Sequence, residues 1–159
     1  MPVGRWRRAV LWLAVAGALA GCGQQVPQQV VATQGALCSN DFQACVMPVL
    51  SSQIRRQDGA TVSCMDSTCH LAGGNGGRFT LSATDVSADM QVVQTLSDLG
   101  NPFNSPVLMK PAEEVTHGGG HVFKDRSDPC YVAIYDWIRQ QDPAKCGKCQ
   151  PVSTTCGFP

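Results

Sequence analysis

The sequence has no surplus of positive charge, which removes nucleic-acid binding from the classes to consider. Lysine plus arginine number 12, as do aspartate plus glutamate. Arg5, Arg7 and Arg8 sit at the front of the chain, so over residues 22–159 nine basic residues face twelve acidic ones. A slightly acidic surface of this kind draws in neither a phosphate backbone nor an anionic bilayer. Long apolar runs are also scarce. Residues 9–19 form one, too short to span a bilayer comfortably, and no second one follows. A Gly-x-Ser-x-Gly elbow is missing, which removes the hydrolase reading that motif would support. The glycine stretch at residues 73–77 lacks the Lys-Ser/Thr ending of a phosphate loop. No long internal repeat is present, and histidine occurs only three times.

Cysteine, by contrast, is plentiful, with nine in 159 residues. The first stands in Leu19-Ala20-Gly21-Cys22, after the three arginines and the apolar run. This resembles a bacterial lipobox, which implies cleavage before Cys22 and acylation of its thiol and new amino group. An ordinary secretory signal or an uncleaved anchor would use the same charges and apolar run. Gly23, rather than Asp, follows the cysteine. In bacterial lipoprotein sorting that favours the outer membrane, with the domain facing the periplasm and the lipid as its membrane attachment. Export places the other thiols in an oxidising compartment, where they pair. The expected organisation is a signal peptide over residues 1–21, a lipidated tether over 22–36, a domain over 37–142 and a Cys-rich extension over 143–159.

Residues 64–70, Cys-Met-Asp-Ser-Thr-Cys-His, set two thiols and an imidazole within seven positions. Two cysteines followed directly by a histidine are the equipment for covalent haem attachment, although the usual spacing has two intervening residues rather than four. Each thiol can add to one haem vinyl group, and the imidazole is then held as an axial ligand of the iron. A disulfide-closed loop with an incidental histidine uses the same residues. So does a zinc site from Cys64, Cys69 and His70 with Cys146 and Cys149, whose C-x-x-C spacing also suits a redox-active disulfide. Oxidation after export weighs against zinc. A βαβ context for the redox pair is absent. With Cys22 acylated and Cys64 and Cys69 on haem, six cysteines remain: Cys38, Cys45, Cys130, Cys146, Cys149 and Cys156. An even remainder fits three disulfides, with about fifteen pairings open.

Helical spacing of Phe42, Val46, Val49, Leu50 and Ile54 predicts a helix over residues 39–53, capped by Ser39 or Asn40 and interrupted or kinked at Pro48. Gln57-Asp58-Gly59 reads as a turn. The glycines at 73–77 allow the backbone to come close to something, and residues 78–82 read as extended. A helix over 88–99 capped by Ser87 follows, then a loop region over 103–124. Asp128-Pro129 is a strong helix start, and Tyr131, Ile134, Tyr135 and Ile138 form the apolar stripe of a helix over 130–141, with Trp137 at its edge.

The combined pattern resembles a family. A Pro-Val-Leu helix precedes Cys…Cys-His; then come a Gly-Gly stretch, Asn-Pro…Ser-Pro-Val-Leu-Met-Lys-Pro, His-Gly-Gly-Gly, and Tyr-x-x-Ile-Tyr-x-Trp-Ile. This is similar to the cytochrome c-like domains best known from planctomycete proteins and found in other bacterial lipoproteins, over about residues 42–141. The resemblance implies an all-α domain around one haem c, with Cys64 and Cys69 as thioether residues and His70 as proximal ligand. It implies His117 as distal ligand, with Met109 as the alternative and His121 a third option read as a surface residue. An iron with two protein ligands has no open position for substrate. The expected function is therefore electron transfer in the cell envelope with a redox protein partner, not catalysis. The contrasting reading is a haem-less, disulfide-stabilised structural or interaction lipoprotein, in which Cys64 and Cys69 form a fourth disulfide.

Overall fold

Pro48 decides the shape of the first helix. It has no N–H, and in an α-helix its ring would strike the carbonyl four residues back. The chain does not break there. It is α-helical over Ser39–Asp41, π-helical over Phe42–Val46 and α-helical again over Met47–Ser51, so residues 39–51 make one helix, α1. The wider turn just before the proline removes the clash, and the Met47 N–H bonds to Phe42 O, five residues back. Cys38, not Ser39 or Asn40, holds the N-cap position, and it makes no side-chain cap. The computed structural model describes residues 37–153 and 155–159, all within the compact unit Ala32–Pro159. The expected signal peptide, Cys22 and the tether lie outside the described residues.

The expected turn at Gln57-Asp58-Gly59 joins two short strands that the sequence reading missed. β1, Ile54–Arg55, pairs antiparallel with β2, Thr61–Val62, with Ile54 opposite Val62. The regular structure is thus mostly helical with a small two-stranded sheet, rather than all-α. Helix α2 is Val86–Thr95, and Asp85 rather than Ser87 caps it, accepting from the Ser87 and Ala88 amides at 3.1 and 3.0 Å. It ends before Leu99 because Asp98 turns inward on the backbone, accepting from the Gly100 and Asn101 amides. Residues 78–82 form no strand beyond a single bridge between Leu71 and Leu81. The loop region opens on a 3-10 turn, Pro102–Asn104, and then forms one α-helical turn, α3, Pro106–Met109.

Helix α4, Pro129–Arg139, starts as its sequence predicts: Asp128 Oδ1 accepts from the Cys130 amide at 2.9 Å, with Pro129 at the first position. Its buried stripe of Tyr131, Ile134, Trp137 and Ile138 meets the buried face of α1. Trp137 lies at the centre. Its ring packs on Phe42 at 5.1 Å, and its Nε1 donates to Cys38 O at 3.0 Å, so a buried indole meets both its apolar and its polar needs. Among the described residues no helix is long and apolar enough to cross a membrane.

Three disulfides pin the C-terminal extension: Cys38 to Cys146, Cys45 to Cys149, and Cys130 to Cys156. Cys146 and Cys149 are therefore not a redox pair or a zinc pair; each sulfur is bonded to residues at or in α1. Asp41, buried in α1, accepts from the Gly147 amide at 2.7 Å. Asp128 reaches the last residues, accepting from the Gly157 amide at 2.8 Å. Gly157 backs onto the Arg55 carbonyl so closely that a Cβ there would overlap it.

The first two bridges cross in chain order, with sequence separations of 108 and 104. While one is present, the other closes a ring of only about ten residues, whose loop entropy is worth about 2.7 kcal/mol. Once one is gone, the survivor closes a loop of about 100 residues, worth about 4.7 kcal/mol. Urea unfolding of the Cys38→Ser/Cys146→Ser and Cys45→Ser/Cys149→Ser pairs should show a loss of about 2–3 kcal/mol for either pair. Removing both should cost more than the sum of the two.

Candidate functional site

The loop at residues 64–70 is shaped by its own polar groups. Ser63, buried, donates its hydroxyl to Leu50 O at 3.0 Å and its amide to Asp66 Oδ2 at 2.8 Å. Asp66 O accepts from the Cys69 amide at 2.9 Å, and Cys64 O accepts from the His70 amide at 3.2 Å. The four intervening residues thus form a self-bonded turn that carries both thiols. Asp66 is the internal partner that organises this turn. Its position between the two cysteines is the signal that could have revealed the role.

Cys64 and Cys69 are free, half-buried thiols. They are the two unbonded cysteines among the described residues, and the expected fourth disulfide of the haem-less reading is not formed. Cys64 packs against the hydrophobic core. Burial, then the neighbouring Cys69 thiol, pushes its pKa up to about 12, so it stays protonated at neutral pH.

His70 is fixed from the side facing the glycine stretch. Its Nδ1 lies 2.9 Å from Phe79 O, and the Phe79 ring stands edge-on to it at 4.5 Å. A carbonyl only accepts, so Nδ1 carries the proton and Nε2 keeps its lone pair. A Cβ on Gly76 would overlap His70 Nδ1 and come within 2.7 Å of Phe79 O. One on Gly74 would come within 2.9 Å of Ser67 O. The something that these glycines approach is His70 and its own loop. Desolvation lowers the His70 pKa, against the raising effect of the Phe79 carbonyl.

His117 is built the same way. Its Nδ1 lies 2.9 Å from Gly120 O, while its own carbonyl accepts from the Gly120 amide at 3.0 Å. A Cβ on Gly119 would come within 2.8 Å of His117 Cε1. The preceding Lys-Pro segment anchors the far side, with Pro111 O accepting from the Val122 and Phe123 amides at 2.8 and 3.0 Å.

These two loops bring His70 and His117 together. Their rings are 8° from parallel, with centroids 6.2 Å apart. That is well beyond the separation of about 4 Å at which apolar atoms touch. Two metal–nitrogen bonds of about 2 Å each, plus the half-widths of two imidazoles, span roughly 6 Å. Each ring has Nδ1 bonded to a carbonyl and Nε2 free, as metal-ligating histidines commonly do. Two histidines at this spacing, beside two free thiols, fit the ligand set of a covalently attached haem.

The remaining ligand candidates are Met109 and His121. Met109 is half-buried at the end of α3. His121 packs on Phe158 at 4.9 Å, with Nδ1 3.3 Å from Gln57 Oε1 and 3.9 Å from Glu113 Oε2. It is half-buried against the C-terminal segment rather than on the open surface. Among the described residues, the trio of metal-type ligands gathered within 4.8 Å is Asp128, Cys130 and Cys156, and its two sulfurs are bonded to each other. The zinc grouping of Cys64, Cys69 and His70 is not gathered in this way.

No protein-family model matches the chain, and neither a curated protein nor a solved structure matches it.

Two outcomes follow from the geometry. Gly119→Ala forces the His117 ring off its carbonyl or shifts the backbone, at a cost of about 1–3 kcal/mol. Gly118→Ala meets nothing within 4 Å and should stay within about 0.5 kcal/mol of the parent, both read from urea melts. For the lowered His70 pKa, the unfolded chain binds the proton more readily than the fold does. Stability of the haem-free protein therefore falls as pH drops below the ordinary histidine value of about 6.5, and this contribution is flat above it. Melts across that window should show the slope, and His70→Gln should reduce it.

Proposed function

We propose that this domain carries one haem c, bound through thioethers from Cys64 and Cys69 and ligated by His70 and His117, and that it works as an electron carrier. The observation that carries the reading is the near-parallel histidine pair, 6.2 Å apart, next to the two thiols left free while the other six described cysteines are paired. When bound, the haem iron supplies one-electron redox chemistry. The chain's part is to hold and orient. The Phe79 and Gly120 carbonyls fix the tautomers of the two histidines and raise their basicity as ligands. Held by both His70 and His117, the iron would have no position open to a substrate, which favours electron transfer over catalysis. Two histidines set a lower potential than a methionine–histidine pair would. The similarity to cytochrome c-like domains of bacterial lipoproteins points the same way. On that reading Cys22 carries the lipid that tethers the domain to the envelope, with the outer membrane favoured. The partner is another redox protein.

The test is an absorption spectrum of protein matured in a host that attaches c-type haem. The expected result is a Soret band with sharp reduced α and β bands, retained after denaturation. His117→Ala should convert the iron to a high-spin form, whereas Met109→Ala should leave the spectrum unchanged. The reverse pattern would make Met109 the ligand. Colourless protein would overturn the proposal in favour of a disulfide-stapled structural lipoprotein.

A further inference from the structure

His117 is carried by a run of three glycines, Gly118, Gly119 and Gly120. No backbone is more pliable than this, yet the ring it carries must keep one place. No side chain within the run can hold it. The restraint comes from the turn between β1 and β2. Arg56 Nη1 donates to Gly119 O at 2.7 Å, and the guanidinium lies against Gly120, where a Cβ would meet Nη1 at 3.5 Å. The next residue adds a second tie, as the Gln57 amide donates to His121 O at 3.1 Å. Arg56 is held from behind by Asp58, which accepts from Nε at 3.1 Å and also from Nη2.

The Gly119 carbonyl and the Gly120 amide belong to one rigid peptide plane. Fixing the carbonyl therefore fixes the amide that donates to His117 O, and with it the following carbonyl that accepts from His117 Nδ1. A continuous set of contacts runs from Asp58 through Arg56 and the Gly119–Gly120 peptide to the His117 ring.

We propose that Arg56 is the positioning residue for His117: its guanidinium locks the triple-glycine loop and so holds the imidazole in place to ligate iron. The ligation rests on the haem reading above; the lock itself does not. Asp58 is the supporting half of the lock. The hairpin that was absent from the sequence reading thereby has a function, which is to bring these two side chains to a loop whose Gly119 lies 63 residues beyond Arg56.

The test uses the full chain with Arg56→Met, Arg56→Lys and Asp58→Asn, made with and without haem. In the haem-loaded protein, Arg56→Met should keep the parent's amount of thioether-bound haem. Its ferrous form should bind carbon monoxide at least about tenfold faster than the parent, with a high-spin ferric band, because the distal imidazole is released more often. Arg56→Lys should recover part of the parent behaviour, and Asp58→Asn should shift it in the same direction as Arg56→Met but less. In the haem-free protein, hydrogen exchange of the Gly120 amide should speed up about tenfold or more in Arg56→Met, with the Ile138 amide of α4 unchanged. Should Arg56→Met fail to fold, the same readings on Asp58→Asn decide. Loaded variants as closed to carbon monoxide as the parent, or an unchanged Gly120 amide, overturn the proposal. A parent that takes up no haem would sink the electron-carrier reading alone, and the amide exchange would still judge the lock.

Discussion

Cys38 and Cys45 are seven residues apart, two turns along α1, and their partners Cys146 and Cys149 are three apart. Two bonds at such different spacings fix an orientation as well as a distance, so the start of the domain and its C-terminal extension form one rigid edge. The rest depends on this edge because the domain has little regular structure of its own. Its longest helices are α1 and α4, and they meet through Phe42 and Trp137. A domain of this size buries a modest core, and covalent ties stand in for the missing burial. The third bridge, Cys130 to Cys156, and the Asp128 carboxylate fold the last residues back onto Arg55, which completes the support of the hairpin.

Around the two histidines the decisive feature is the absence of side chains. Gly76 and Gly119 stand where a methyl group would strike an imidazole, so backbone carbonyls can reach Nδ1 of both rings. This arrangement orients each imidazole tightly but leaves the glycine loop without internal stiffness. The stiffness is imported. Phe79 packs against His70 from beyond its glycines, and Arg56 reaches Gly119 from the hairpin. A loose loop with a precise ring on it becomes possible only because other elements bear on it.

Much of this was readable locally. The Asp128-Pro129 start of α4, its apolar stripe, the turn at residues 57–59 and an even set of six cysteines for three bonds all follow from short-range rules. The errors were also local rules, overridden by a nearby competitor. Asp85 outcompetes Ser87 as a cap because its carboxylate reaches two amides. Asp98 ends α2 early by bonding to the turn that follows. The interruption expected at Pro48 does occur, as a π-helical stretch that widens α1 without ending it, because the buried face on both sides of the proline holds the helix together.

By itself the sequence determined which residues the proposed chemistry would draw on. Two cysteines and a histidine within seven positions, and a second histidine before three glycines, are covalent facts that no fold alters. Only the tertiary structure decided what those residues meet: that Cys146 and Cys149 bond to different partners, that Cys64 and Cys69 stay free, and that His117 comes to face His70 across 46 intervening positions. The reason is physical. Spacing along a chain constrains neighbours within a turn or a helix, whereas contacts between distant segments are set by how the core packs and where the disulfides close it, and neither is written in any short stretch of residues.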